Sequence, residues 1–112
     1  MTDRLSSSML VGALLRRTQA EGGFGVVLEK GDETSGAVAV VLTEKGGNPR
    51  FFERLLQPDG RYSWQESRQL IENEEELRKF LASRRNFDPD LWILELDIAS
   101  AERFAAEMNA IG

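Results

Sequence analysis

The segment Leu91-Trp92-Ile93-Leu94-Glu95-Leu96-Asp97-Ile98 constrains the fold more than any other stretch of the chain. At the period of two that a strand imposes, Trp92, Leu94, Leu96 and Ile98 share one face, and Leu91, Ile93, Glu95 and Asp97 share the other. This pattern commits the chain to a sheet. Ala37 to Glu44 is a second, β-branched run fit for a central strand.

Three further segments complete the sheet. Phe24 to Lys30 alternates, with Phe24, Val26 and Leu28 on one face. Phe51 to Leu56 follows the hairpin signal Lys45-Gly46-Gly47-Asn48, and Arg61 to Glu66 follows the turn Pro58-Asp59-Gly60. The last of these places Tyr62 and Trp64 on one face and polar residues on the other, as an edge strand does. Gly31 to Gly36 reads as a turn between the first two strands.

Three helices are expected around the sheet. The first runs from about Ser7 to Glu21, with serine oxygens at its start and Gly22-Gly23 at its end. Its apolar residues Met9, Leu10, Val11, Ala13, Leu14 and Leu15 cover over half the circumference and predict burial on more than one side. Gly12 in its middle predicts a close backbone contact. Asn73 with Glu76 forms a capping-box pattern for a helix over about Glu74–Asn86, stopped by Asp88-Pro89. Ser100 caps a last helix whose stripe is Ala101, Phe104, Ala105, Met108 and Ile111. The expected class is α+β: a mostly antiparallel sheet of about five strands with three helices, in the order α-β-β-β-β-α-β-α, forming one domain over 1–112.

Composition bounds the chemistry. The 112 residues contain no cysteine and no histidine. Disulfides, thiolate catalysis, Cys- or His-based metal sites and every imidazole triad are therefore excluded. Net charge is -5, so general nucleic-acid binding is disfavoured, although a local basic patch is compatible with it. Met1 to Ser8 shows no secretory pattern and no apolar run approaches a membrane span, so a cytoplasmic location is expected.

Gly22-Gly23-Phe24-Gly25 is not a dinucleotide fingerprint, because a helix precedes it and a strand follows. Lys30, Lys45 and Lys79 show no spacing that would activate a serine. The helix wheels say more. Arg17 falls inside the apolar arc of the first helix, and Arg84 falls midway between Phe80 and Leu81; Arg16 and Arg85 flank them. Inward arginines need partners, because an unpaired buried guanidinium is costly. Helix-end snorkelling or simple ion pairs would supply them. The sharper expectation is that Arg17 and Arg84 reach a shared acidic cluster or an anion, with Asp88, Asp90 and Glu95 as acidic partners. The candidate binding residues are therefore Arg17, Arg84, Asp88, Asp90 and Glu95. Asp88, Asp90, Glu95 and Asp97 also permit a divalent-metal hydrolase, but the position two after Glu95 carries Asp97 where a nuclease would carry lysine.

Arg84-Arg85-Asn86-Phe87-Asp88-Pro89-Asp90-Leu91-Trp92, with Leu14-Leu15-Arg16-Arg17, Lys30-Gly31-Asp32 and Gly36, resembles the small alphaproteobacterial proteins grouped as domain-of-unknown-function family fourteen-ninety-one. The likeness runs over nearly the whole chain, and the Phe-Asp-Pro-Asp-Leu-Trp segment is its most specific part. The resemblance implies a bacterial, cytosolic, stand-alone domain, and it implies no reaction, ligand or catalytic residue.

The residues favour a non-catalytic binding or protein-interaction module without cofactor or metal, forming a homodimer through the first helix or the edge strand or engaging another protein. The alternatives are nucleic-acid or anion binding through Arg16, Arg17, Arg84 and Arg85, and metal-dependent hydrolysis through Asp88, Asp90, Glu95 and Asp97.

Overall fold

The computed structural model describes residues 6–67 and 72–111, and its elements follow the order expected from the sequence. They are α1 (Ser7–Ala20), β1 (Phe24–Glu29), β2 (Val38–Glu44), β3 (Gly47–Leu56), β4 (Tyr62–Glu66), α2 (Glu74–Phe87), β5 (Trp92–Asp97) and α3 (Ala101–Ile111).

Each boundary has a local cause. The Ser6 hydroxyl accepts the Met9 amide at 3.3 Å and starts α1, and Gly22 leaves the helix with φ of +82°. At α2, Asn73 accepts the Glu76 amide at 2.8 Å, while the Glu76 carboxylate reaches back to the Glu72 amide at 3.0 Å. Ser100 caps α3 by accepting the Arg103 amide, and the Glu44 carboxylate takes the Ala101 amide at 2.7 Å. Lys45 and Gly46 both have positive φ, as a tight two-residue hairpin between β2 and β3 requires.

The strands form one sheet in the order β1-β5-β2-β3-β4. Every pairing is antiparallel except β2 with β5, which is parallel, with Val40 opposite Leu94 and Leu42 opposite Leu96. This corrects one sequence expectation. The short 30–37 link suggests that β1 and β2 form a hairpin, yet β5 lies between them. β5 can hold that place because both of its faces are apolar enough to be covered: Leu94 and Leu96 are buried on one and Ile93 on the other. β4 is an edge, as expected, and β1 is the other.

Alternation divides the core into two layers. On one face Val38, Val40, Leu42, Phe52, Trp64, Trp92, Leu94 and Leu96 pack against Leu10, Val11 and Leu14 of α1 and Ala101, Phe104 and Met108 of α3. On the other, Ala39, Val41, Phe51, Leu91 and Ile93 meet Leu77, Phe80 and Leu81 of α2. The rings of Phe51 and Phe80 meet edge to face at 4.8 Å. The side chain of Ile111, expected on the α3 stripe, lies outside the described residues.

Two readings of α1 are also corrected. Its burial is one-sided: Leu10, Val11, Leu14 and Thr18 are buried, whereas Met9 on the opposite side is exposed. Gly12 makes no close backbone approach, since a Cβ there would meet only the Arg16 guanidinium, at 3.3 Å.

Leu94→Ala should lower stability by about 2–5 kcal/mol, the range for truncating a buried leucine. Leu55→Ala, at an exposed position, should change it by less than about 0.5 kcal/mol. Chemical denaturation of the two variants checks the contrast.

Candidate interaction surface

The structure places α1 and α2 on opposite faces of the sheet, and this separates the candidate arginines. Arg17 sits in the last turn of α1, where its guanidinium leaves the apolar arc for Glu21 at 2.8 Å and Glu107 of α3 at 2.6 Å. Arg103 joins the same group through Glu21. The hydrogen bond from Arg17 holds the Glu21 carboxyl below its ordinary pKa. Arg84 stands in the α2 stripe as the wheel requires, but its partner is Glu53 on β3 rather than Asp88, Asp90 or Glu95. Arg85 binds the Glu29 carboxylate at 2.6 Å and the carbonyls of Pro89 and Lys30. Arg16 lies along Gly12 on the outer side of α1. The four arginines therefore form no common patch, and three of them face carboxylates of their own chain.

The acidic residues do not gather either. Asp88 accepts the Asp90 amide across the turn at 3.2 Å, and Asp90 works through its main-chain carbonyl. Asp97 accepts the Lys45 amide at 2.7 Å. Glu95 is half-buried in β5, between Val26 of β1 and Val41 of β2, with no ion pair to a described residue. Among the described residues no three carboxylates come together as a metal-ligand set.

What the motif residues build instead is a clasp. The Asp32 amide donates to the Asp90 carbonyl at 3.1 Å, and the Trp92 indole donates to the Asp32 carbonyl at 2.7 Å. A Cβ on Gly31 would fall 2.1 Å from the Asp90 carbonyl oxygen, and one on Gly36 would fall 2.3 Å from it. Only glycine permits that approach. The Asp32 carboxylate accepts the amides of Thr34 and Ser35, which hold its pKa below the ordinary carboxylate value. The same loop receives α1: the Ser7 and Ser8 amides donate to the carbonyls of Thr34 and Glu33, and the Ser7 hydroxyl donates to the Gly36 carbonyl at 2.6 Å. Arg85 ties the end of α2 to the same place through Pro89 and Lys30. One small concavity of about 180 Å³ opens beside it, lined by Ser7, Thr34, Ser35, Arg54 and Tyr62 among others.

The open surface lies at β1. Every other strand has at least one buried residue, whereas β1 has none and leaves Phe24 70% exposed, Leu28 41%, Val26 40% and Val27 36%. Phe24 and Val26 share the α2 face with Asp97 and Glu95, but that helix covers the middle of the sheet rather than its rim. On the other face, Gly25 lets α1 come close: a Cβ there would lie 2.8 Å from both Leu15 and Leu96. The register slips between Val27 and Glu29, so Leu28 is the extra residue of a bulge. Phe87, at the helix end that Arg85 ties to β1, is 86% exposed. Sequence alternation finds the apolar face of β1 but does not reveal that nothing described covers it.

The fold and this surface define an α+β domain with a mixed five-stranded sheet and one apolar edge. The family model described as "Protein of unknown function (DUF1491)" matches residues 5–106, and the chain belongs to that family. A crystal structure of a DUF1491 family protein from Caulobacter crescentus CB15 superposes with a TM-score of 0.77 at 31% identity, covering 87% of this chain and 91% of that one. The solution structure of protein Atu0922 from A. tumefaciens gives 0.73 at 31% identity, covering 87% and 88%. An NMR structure of a DUF1491 family protein from Caulobacter crescentus CB15 gives 0.73 at 32%, covering 84% and 86%. No curated protein matches the chain.

Two outcomes test the clasp. Gly36→Ala should destabilise the fold measurably, because the new methyl meets main-chain atoms that cannot give way; a control Gly47→Ala, whose Cβ would find its nearest neighbour at 3.7 Å, should cost far less. For Asp32 the folded pKa is depressed, so its contribution is complete above the unfolded value of about 3.9 and is lost as pH falls through the lower folded value. Melting temperature against pH should therefore drop in that window, and Asp32→Asn should flatten the drop.

Proposed function

We propose that this chain is a non-catalytic interaction module of the bacterial cytoplasm that receives an extended segment of polypeptide along the β1 edge. One observation carries the reading: a six-residue edge strand presents four exposed apolar side chains in a row, without the lysine or proline that usually blunts such an edge. An unpaired edge offers main-chain donors and acceptors for strand addition, and the flanking side chains supply the apolar contacts. The bulge at Leu28 limits the edge to the stretch that precedes it.

The other classes have less support. A surface for nucleic acid needs cations free for phosphates, but Arg17, Arg84 and Arg85 face Glu21, Glu53 and Glu29. Hydrolysis through Asp88, Asp90, Glu95 and Asp97 would need carboxylates aimed at one point, whereas Asp88 and Asp97 accept main-chain amides in separate turns.

A synthetic array of extended peptides with alternating apolar residues tests the proposal. Binders should perturb the backbone amide resonances of Phe24 to Glu29 and should be lost with Val26→Lys while the melting temperature stays unchanged. Binders that map to α1, or to the Arg54 and Tyr62 concavity, would overturn it.

A further inference from the structure

We infer that the α2 face of β5, inside the β1 edge, is a site for basic side chains: Glu95 and Asp97 receive the ammonium or guanidinium groups of an extended polypeptide segment. The site lies on the face of the sheet, one strand inward from the edge, and does not depend on main-chain pairing there.

Three polar side chains with unmet capacity stand on neighbouring strands of this face. Glu95 is half-buried between Val26 and Val41, without an ion pair to a described residue. The other half-buried carboxylates at Glu21 and Glu53 each hold an arginine. Asp97, two residues on, takes the Lys45 amide with one oxygen. Thr43 lies beside Asp97 in the parallel pairing; it is 3% exposed, and its hydroxyl has no hydrogen-bond partner. Buried hydroxyls and half-buried carboxylates are ordinarily paired, so this corner of the sheet is short of a donor among the described residues. An incoming cation supplies one.

The surroundings select the kind of cation. The cover given by α2 ends at Val41 and Ile93, and the side chains opposite the two carboxylates on the same face are Phe24 and Val26, both exposed. A metal ion gains nothing from that apolar floor and finds no set of three carboxylates among the described residues. Lysine or arginine uses both parts of the site. Its methylene stem covers the apolar side chains while its head reaches a carboxylate, and the Phe24 ring adds a cation–π contact. The spacing favours a polypeptide over a free amine: Glu95 and Asp97 stand about 6.5–7 Å apart along β5, the repeat of same-face residues in any extended chain. Basic residues at alternate positions therefore meet both. The net charge of -5 draws such a segment in.

The probe is a short extended peptide with lysine at two alternate positions, set against its norleucine counterpart, which keeps the stem and removes the charge, and against 1,5-diaminopentane. The lysine peptide should shift the carboxyl carbon resonances of Glu95 and Asp97 and the methyls of Val26. It should bind about 5–30-fold more tightly than the norleucine peptide, the scale of a charge-assisted hydrogen bond. Glu95→Gln should remove most of that difference without lowering the melting temperature, and Glu95→Lys should transfer the preference to a glutamate peptide. Equal affinity of the lysine and norleucine peptides, a lysine preference that survives Glu95→Gln, or shifts confined to Glu74–Glu76 would overturn the inference. Diaminopentane binding as tightly as the peptide would overturn it too. Lysine-dependent binding that leaves the β1 amides unperturbed would remove strand addition and keep this site; charge-independent binding along β1 would do the reverse.

Discussion

The insertion of β5 between β1 and β2 is the constraint on which the rest of the structure depends. β5 runs parallel to β2 and antiparallel to β1, so it completes the sheet only after α2 has crossed one face. Its two apolar faces require cover from both sides: α1 and α3 on one, α2 on the other. β1 ends, and β2 begins, beside the start of β5. The short link between them must therefore pass over the point where the chain enters that strand. The clasp follows from this crossing. Gly31 and Gly36 lie against the Asp90 carbonyl because no side chain fits where the link and the strand entrance meet.

This geometry gives the motif residues an architectural role. Asp32, Pro89, Asp90 and Trp92 close the crossing through main-chain groups and one indole, and Arg85 fastens the end of α2 onto it. Arg84 stands among apolar residues because Glu53 meets it from the sheet. The same insertion creates the open surface. β5 separates β1 from β2, and β1 thereby becomes an edge whose side chains lie beyond the span of α2. Architecture and candidate function are two consequences of one strand's position.

The order of elements was legible because it depends on short-range chemistry. The Asn73–Glu76 cap, the Ser100 cap, the Lys45-Gly46 turn and the alternation in Leu91–Ile98 each act within a few residues. The neighbour of β1 was not legible. The short 30–37 link predicts a hairpin from length alone, and only the burial of both β5 faces decides against it. The arginine wheels were right about direction for Arg84 and wrong about company. A helix wheel says which way a side chain points, but it cannot show that β3 carries Glu53 beneath it, or that Arg17 and Arg84 lie on opposite sides of a sheet. The glycines at 31 and 36 read as turn residues, and their close approach to Asp90 depends on contacts between segments distant in sequence.

If the crossing is part of the cooperative core, hydrogen exchange should show it directly. The Asp32 amide and the Trp92 indole proton should exchange as slowly as the amides of β2 and β5, at the rate set by global unfolding. Exchange of both at the rate of the Lys45-Gly46 turn, while β2 and β5 stay protected, would contradict this, since the clasp would then be a mobile loop rather than the joint that holds β5 in place.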